Sequence, residues 1–583
     1  MHSTRLIDLS QTALSEEHDL YFVAFAERIW VYEPAHDVKN HEPVQIVHTL
    51  QSADGVQGYL SRHRPHAINN ILVVKLGTEE VLACVRDDGD CEVFMLRHIL
   101  SAIENHRRNA SADMLKLAFD HPIYRINVGS SAWGLSIHSE ARMLAVSSNL
   151  HEITVIKFAL VDQSENNGKP SKVRYKRDDP HGRWLASTDI SGDCRFLDLQ
   201  MGGIAQSVRF GRSFAEAGYG SYDRINAGWG IMFLDRRSFS LESSKRRALG
   251  QDHAEELPDA RTDPATWDLS RTIRNLENTS DQFVRNTPTP LTSVPDFGSP
   301  GSDRLLGTDR IPGAVEPDVL IDMADDDTDS DTATSMADTS IVSTNSDADN
   351  NGDNLSRALS DADNDMYDDV EDEQTENTIN PAMLYGGDRI CGNKPRFQQA
   401  TGICDDLPCP ILHASLRNIY LLQPSRFKET GRHGIFAQPT VGFARPLRQY
   451  IQGQHRDLNM FDRINMHAYI PSLGVVIMAS QKGRAVVLAL TKVKVDTQTI
   501  YAMRAECILP FASQERSAEV NKPALRPFSP LHGIAVGPMP GCEGLRDEEK
   551  RWRLFLMYQD YTVLKYEIRR KDGQDAGVAN VVI

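Results

Sequence analysis

Two polar patches carry the side-chain types of a hydrolytic site. Residues 144–158 read LAVSSNLHEITVIKF, which brings Ser147, Ser148, His151 and Glu152 together, and residues 184–199 read WLASTDISGDCRFLDL, with Ser187, Thr188, Asp189 and Asp193. A hydroxyl nucleophile needs a base to take its proton and a carboxylate to orient that base, and the three groups normally converge from separate chain segments. Here the same patch recurs with its chemistry exchanged: SSN, STD, then ASQ at 479–481 and MYQ at 557–559. A repeated turn exchanges its polar residues freely, whereas an active site does not. The patches are therefore read as turns, and the chain as a protein without a catalytic site.

Other chemistry is equally thin. Cys391, Cys404, Cys409 and His413 form the one cluster with metal-ligand composition, but Cys404 and Cys409 have four residues between them and no second ligand pair follows. Structural zinc sites use paired ligands, so no metal is expected. No phosphate-cradling glycine loop followed by Lys-Ser or Lys-Thr occurs, and His151-Glu152 is followed by Ile-Thr-Val, which is no His-Glu-x-x-His. No cofactor is expected either.

The elements that hold the patches are short apolar runs separated by Gly, Asn, Asp or Ser. They are dense before residue 240 and again after 405, as in YFVAFAERIWVYEP at 21–34 and INMHAYIPSLGVVIMASQKGRAVVLALTK at 464–492. LAVSSN-HEITVIKF, WLASTD-GDCRFLDL, VIMASQ-GRAVVLAL and LFLMYQ-YTVLKYEI align as strand, turn, strand. In Asp87-Asp88-Gly89-Asp90 the glycine supplies a positive φ for such a turn. A period of roughly 40 residues with four strands per unit is that of a WD-type propeller. The expected fold is all-β, a WD40-like propeller of about seven blades. Five units precede the break and three follow it, so the first and last units are expected to share a blade. Trp133, Trp184, Trp229 and Trp552 sit in strand words and are read as core.

Three regions are expected: 1–240 as N-terminal blades, 241–400 as an insertion, and 401–575 as C-terminal blades. The middle is rich in Ser, Thr, Asp, Asn and Pro and poor in aliphatic residues, so it is read as disordered. Between Glu316 and Glu376 stand 21 acidic residues against Arg357 alone, a charge of −20. The whole chain carries −18, so the remainder is near +2 (−18 minus −20). A near-neutral folded part gives little support for direct nucleic-acid binding, and the basic runs KVRYKR at 172–177 and KRR at 245–247 are read as exposed loops. Thr328, Ser346 and Ser360 each have Asp three residues on, the pattern of an acidophilic kinase site. The longest mostly apolar run, IPSLGVVIMA at 470–479, is too short to span a bilayer. With no secretory leader in the first twenty residues, a soluble intracellular protein is expected.

VGSSAWGLSIHS at 128–139, the two patches opened on, NAGWGIMFLDRRSF at 226–239, PLHGIAVGPMPG at 530–541 and WRLFLMYQDYTVLKYEI resemble the fungal Crt family of WD40-like regulators of ribonucleotide-reductase genes. The resemblance implies a non-catalytic nuclear scaffold, monomeric within a complex of proteins. It also implies links to transcriptional control and to cullin-type ubiquitin ligases as a substrate receptor. Cullin-adaptor propellers carry a Trp-Asp-x-Arg word, and its remnants here are Asp198 in LDLQ and Asp235 with Arg237 in LDRR, the candidate docking residues. A cytoplasmic trafficking scaffold with the same fold is the alternative. One departure stands out. Before GRWLAST, where a first apolar strand belongs, SENNGKPSKVRYKRDDPHG supplies polar residues, so the blade near 165–200 is expected to lack a strand.

Overall fold

The computed structural model describes residues 11–34, 43–50, 64–108, 118–158, 181–190, 192–210, 228–250, 266–270, 272–275, 295–297, 409–424, 436–447, 463–495, 498–511, 530–542, 545, 549–570 and 576–581. Its strands make seven sheets, antiparallel but for short parallel additions at three of them, the blades of a propeller. All lie in the compact unit Met1–Ser302 with Phe397–Ile583. The disorder expected for the middle of the chain concerns residues almost wholly outside those described. No helix among the described residues is long and apolar enough to cross a membrane.

In the most regular blades four strands follow one another outward: Ile68–Leu76, Glu79–Arg86, Asp90–Met95 and Tyr124–Asn127 in blade 2, and Leu531–Pro538, Trp552–Tyr558, Val563–Arg570 and Ala576–Val581 in blade 7. Second strands are pressed between neighbouring sheets on both faces. VVIMAS at Val475–Ser480 and WRLFLMY at Trp552–Tyr558 are accordingly buried throughout, and they read as continuous apolar runs instead of alternating ones.

First strands share one irregularity. Their register breaks at Ile68/Asn70, Ala132/Leu135, Gly228/Gly230, Ile464/Met466 and Leu531/Gly533, a bulge that re-aims the intervening side chain. Asn69, Trp229 and His532 at these bulges all touch the next blade. Asn69 donates to the Ala132 carbonyl at 2.8 Å, Arg463 lies 4.9 Å over the Trp229 ring, and His532 Nε2 is 2.9 Å from the Ala24 carbonyl. That last contact closes the ring from blade 7 to blade 1 without a shared strand. The expected sharing of a blade is corrected here, because Thr12–Leu14 to Gln45–His48 complete blade 1 by themselves.

The eighth unit came from counting blade 5 twice. Its first strand, Gly228–Phe233, pairs with Ile411–Ser415, so the insertion interrupts the blade itself. Residues 241–275, assigned to the insertion by their low aliphatic density, return in part to the propeller. Ser240–Leu241 runs parallel to Thr491–Lys492 of blade 6, and Thr266–Asp268 runs parallel to the outer strand of blade 5. A helix at Lys245–Leu249 is capped by Ser244, whose hydroxyl accepts from Arg247 N, and ends on left-handed Gly250. Ala248, Leu249, Trp267, Leu269 and Ile273 join the core of blades 5 and 6. Five apolar residues spread over 26 positions make a packing surface that composition alone does not reveal.

Blade 4 begins at Trp184–Thr188. Its turn to Asp193–Asp198 matches the turns between second and third strands elsewhere, so among the described residues it has no first strand. Blade 4 still has four strands, because Pro295–Phe297 pairs outside Gly203–Phe210, whereas blade 3 shows three among the described residues, Ala132–His138, Met143–Ser148 and Ile153–Lys157. KVRYKR at 172–177 lies outside the described residues.

Candidate functional site

The polar patches fall at one place in the repeat. After the second strand the chain makes the same turn in four blades: Ser148 N donates to Glu152 O (3.2 Å), Asp189 N to Asp193 O (3.1 Å), Ser480 N to Arg484 O (3.0 Å) and Tyr558 N to Thr562 O (2.9 Å). The fourth residue of each turn is left-handed: His151 (φ 58°), Gly192 (80°), Gly483 (114°) and Tyr561 (64°), with Gly89 (83°) equivalent in blade 2.

The hydroxyls of the patches serve the strands. Ser147 Oγ accepts the Gly134 N–H at 2.9 Å, and a Cβ at Gly134 would run into that oxygen. A Cβ at Gly228 of blade 5 would likewise run into the Thr188 hydroxyl, while the Gly228 N–H donates to Asp189 O at 2.8 Å. Small residues in the Trp-Gly words thus fit the hydroxyls of neighbouring strands. Ser148 Oγ accepts from Leu150 N at 3.4 Å, and Asp189 Oδ1 accepts from Asp193 N at 3.0 Å, both within their turns.

Thr188 does meet an imidazole, His413 Nε2, at 3.1 Å across the seam of blades 4 and 5. Cys194 Sγ donates to the same hydroxyl at 3.3 Å. His413 is 0 % exposed, and burial pushes its pKa down to about 3, so it offers no face to a substrate. The sign of its pH effect follows directly. A base whose folded pKa is depressed contributes stability that is present above its ordinary value near 6.5 and is lost as pH falls toward 3. Wild-type unfolding midpoints should therefore drop between pH 6.5 and 4 more steeply than those of His413→Gln, measured by thermal denaturation across that range.

The docking candidates separate. Asp198 is buried, accepts from Arg183 Nε (3.0 Å) and Nη2 (2.6 Å), and accepts from Gln200 N and Met201 N of the next turn. It presents no surface. Asp235 caps the short turn Arg236–Ser238 by accepting from Arg237 N at 2.8 Å, and takes the Arg237 guanidinium on both oxygens, Nη2 at 2.6 Å. Arg237 is the more exposed of the two. Of the basic run 245–247, Lys245 lies 4.0 Å over Trp267 and Arg247 reaches Glu242 at 3.4 Å. Thr328, Ser346, Ser360, Cys391 and Cys404 lie outside the described residues; Cys409 and His413 are buried. Trp184 and Trp552 are core residues, while Trp133 and Trp229 are half-buried at the bulges.

Sequence reasoning overlooked the apolar tips of the turns. Leu150 (42 % exposed), Ile190 (71 %) and Tyr561 (64 %) stand on the turns of blades 3, 4 and 7, one face of the ring. Tyr561 adjoins an aromatic group: Phe25 lies 5.7 Å from it, Trp30 5.0 Å from Phe25, and His532 stacks on Phe25 at 5.2 Å. A tyrosine held left-handed costs stability that glycine would not. Tyr561→Gly is therefore expected to raise stability by about 1 kcal/mol, read from chemical denaturation.

The model of the CRT10 family matches residues 14–173 and 446–568, that is blades 1 to 3 and blades 6 to 7. Over 180 residues the chain is 26 % identical to an uncharacterized WD repeat-containing protein of Schizosaccharomyces pombe, which covers 30 % of this chain and 31 % of that relative. The first match ends at residue 173, within the polar stretch that precedes blade 4.

Proposed function

We propose that this propeller, whose two matched segments are similar to the CRT10 family, is a scaffold that works without catalysis in a nuclear regulatory complex. In this reading it serves the transcriptional control of ribonucleotide-reductase genes and receives substrates for a cullin-type ubiquitin ligase. The observation that carries the scaffold role is the set of exposed apolar tips, Leu150, Ile190 and Tyr561, on one face of the ring. Exposed aromatic and aliphatic side chains on one face are what protein partners bury. The nuclear and ribonucleotide-reductase parts rest on the resemblance of the sequence words. Asp235 and Arg237 are the proposed ligase contacts, since they keep the Asp and Arg of the adaptor word and Arg237 is the more exposed of the pair.

Affinity purification of the tagged full chain, followed by mass spectrometry, tests both parts. Recovery of a cullin and its adaptor, lost in Asp235→Ala with Arg237→Ala, supports ligase docking, and recovery without that loss refutes those residues. Partners lost in Tyr561→Gly with Ile190→Ser, in a protein at least as stable as wild type, identify the turn face. An exclusively cytoplasmic or vesicular signal from the tagged chain would overturn the nuclear assignment.

A further inference from the structure

On the ring face opposite those turns, blade 7 packs on blade 1 around two cations and one carboxylate. Arg553, on the second strand of blade 7, is 1 % exposed, and its Nη2 donates to Asp19 Oδ1 on the first turn of blade 1. Its Nε and Nη1 have no acceptor among the described residues. Lys565, on the third strand, is 7 % exposed. The register pairs Arg553 with Glu567 and Phe555 with Lys565, so both cations share one face of the sheet. They lie 5.6 and 5.9 Å from the centre of the Phe555 ring. Glu567 stands nearer Arg551 (3.7 Å) and Arg569 (3.9 Å).

Among the described residues Asp19 is the one carboxylate within ion-pair distance of either buried cation, and Glu567 on the same face lies against Arg551 and Arg569, so positive charge is in excess in the seam. Burying an ion without a partner costs several kcal/mol. Burial, and then the charge of Arg553, hold the Lys565 pKa below the ordinary lysine value. Asp19 is 40 % exposed, which marks the side from which solvent and solutes reach the pair. It satisfies one end of the guanidinium and leaves the other nitrogens to donate.

We propose that this seam binds an oxyanion, with Arg553 and Lys565 donating to a phosphate or carboxylate group beside Asp19. The inference is independent of the scaffold reading. An oxyanion would bring the seam to neutrality or below and supply acceptors for the Arg553 nitrogens, with Phe555 forming one wall. The group has two sources, a phosphorylated ligand or a carboxylate ligand.

Thermal unfolding of the full chain in inorganic phosphate, in acetate and in chloride at matched ionic strength separates them. At about ten times its dissociation constant the bound ion shifts the unfolding equilibrium about tenfold. A saturable shift with phosphate alone assigns phosphate, and a shift with acetate assigns carboxylate. Lys565→Met keeps most of the side-chain volume and should abolish the shift, as should Arg553→Met. Phosphorus NMR of free phosphate should broaden with wild type and not with either variant. The proposal is overturned if neither ion exceeds chloride, or if Lys565→Met responds as wild type does.

Discussion

Gly474→Ala is expected to cost about 3 kcal/mol, roughly the sum of a left-handed conformation and an overpacked contact. Gly474 closes the turn before the second strand of blade 6 at φ 66°, and a Cβ there would strike the carbonyl oxygen of Ser238. That oxygen belongs to a backbone pinned on both sides. Ser238 ends the turn capped by Asp235, its hydroxyl accepts from Tyr469 Oη at 2.6 Å, and Leu490 N donates to the Gly474 carbonyl at 2.7 Å. No rotamer relieves the contact. Gly202 is the control, at φ 71° with nothing within 4 Å of the added carbon, so Gly202→Ala should cost only the conformational part, about 1 kcal/mol. Equal losses for the two, by urea denaturation, would show that the Ser238 turn does not rest on blade 6.

The difference between these glycines marks where sequence stops being informative. Both sit in turns between apolar runs, and a positive φ is all that either position announces. What crowds Gly474 is a segment more than 230 residues earlier, the start of an insertion whose composition hides its packing residues. Seven blades were expected and seven are found, but the shared blade was misplaced for the same reason. Gly228–Phe233 and Ile411–Ser415 each read as part of a unit, and only the ladder between them shows that they share one. Strand, turn and repeat were legible because they depend on neighbours in the chain. Ser147 and Thr188 were read as turn residues, yet their partners, Gly134 and His413, were not foreseeable. Tyr561 is subtler. Its position in the turn was visible, but nothing in the sequence sets it apart from His151 until exposure and the Phe25 group are known.

Asp90→Ala should be the more damaging of the two large substitutions, with a loss of about 3–5 kcal/mol. The stretch Asp87-Asp88-Gly89-Asp90 read as a simple turn, but its carboxylates are buried around Arg86, which is itself 0 % exposed. Asp90 accepts from Arg86 Nη2, from both Nε and Nη2 of Arg125, and from Asn127 Nδ2 at 2.8 Å. Asp88 takes Arg86 Nε at 3.2 Å and lies 2.7 Å from His66 Nδ1, while Asp87 accepts from Ser131 Oγ at 2.5 Å. Removing Asp90 takes from Arg86 and Arg125 the carboxylate they share, leaving Asp88 and Glu92 to pair with them, whereas Asp90→Asn keeps an acceptor and should cost less. Glu92 gives an independent pH signature. Burial lifts its pKa to about 7 even though Arg86 and Arg125 pull it down and Leu50 N donates to it at 3.0 Å. A carboxyl raised in the folded state contributes stability that is full below about 4.5, its ordinary value, and is lost as pH rises through 7. Glu92→Gln should therefore gain on wild type as pH rises from 5 to 8. Because the histidine term is lost on the acid side and the Glu92 term on the alkaline side, their combined contribution should peak in the weakly acidic range. A Glu92→Gln profile parallel to wild type would show that the carboxylate is charged and fully paired throughout.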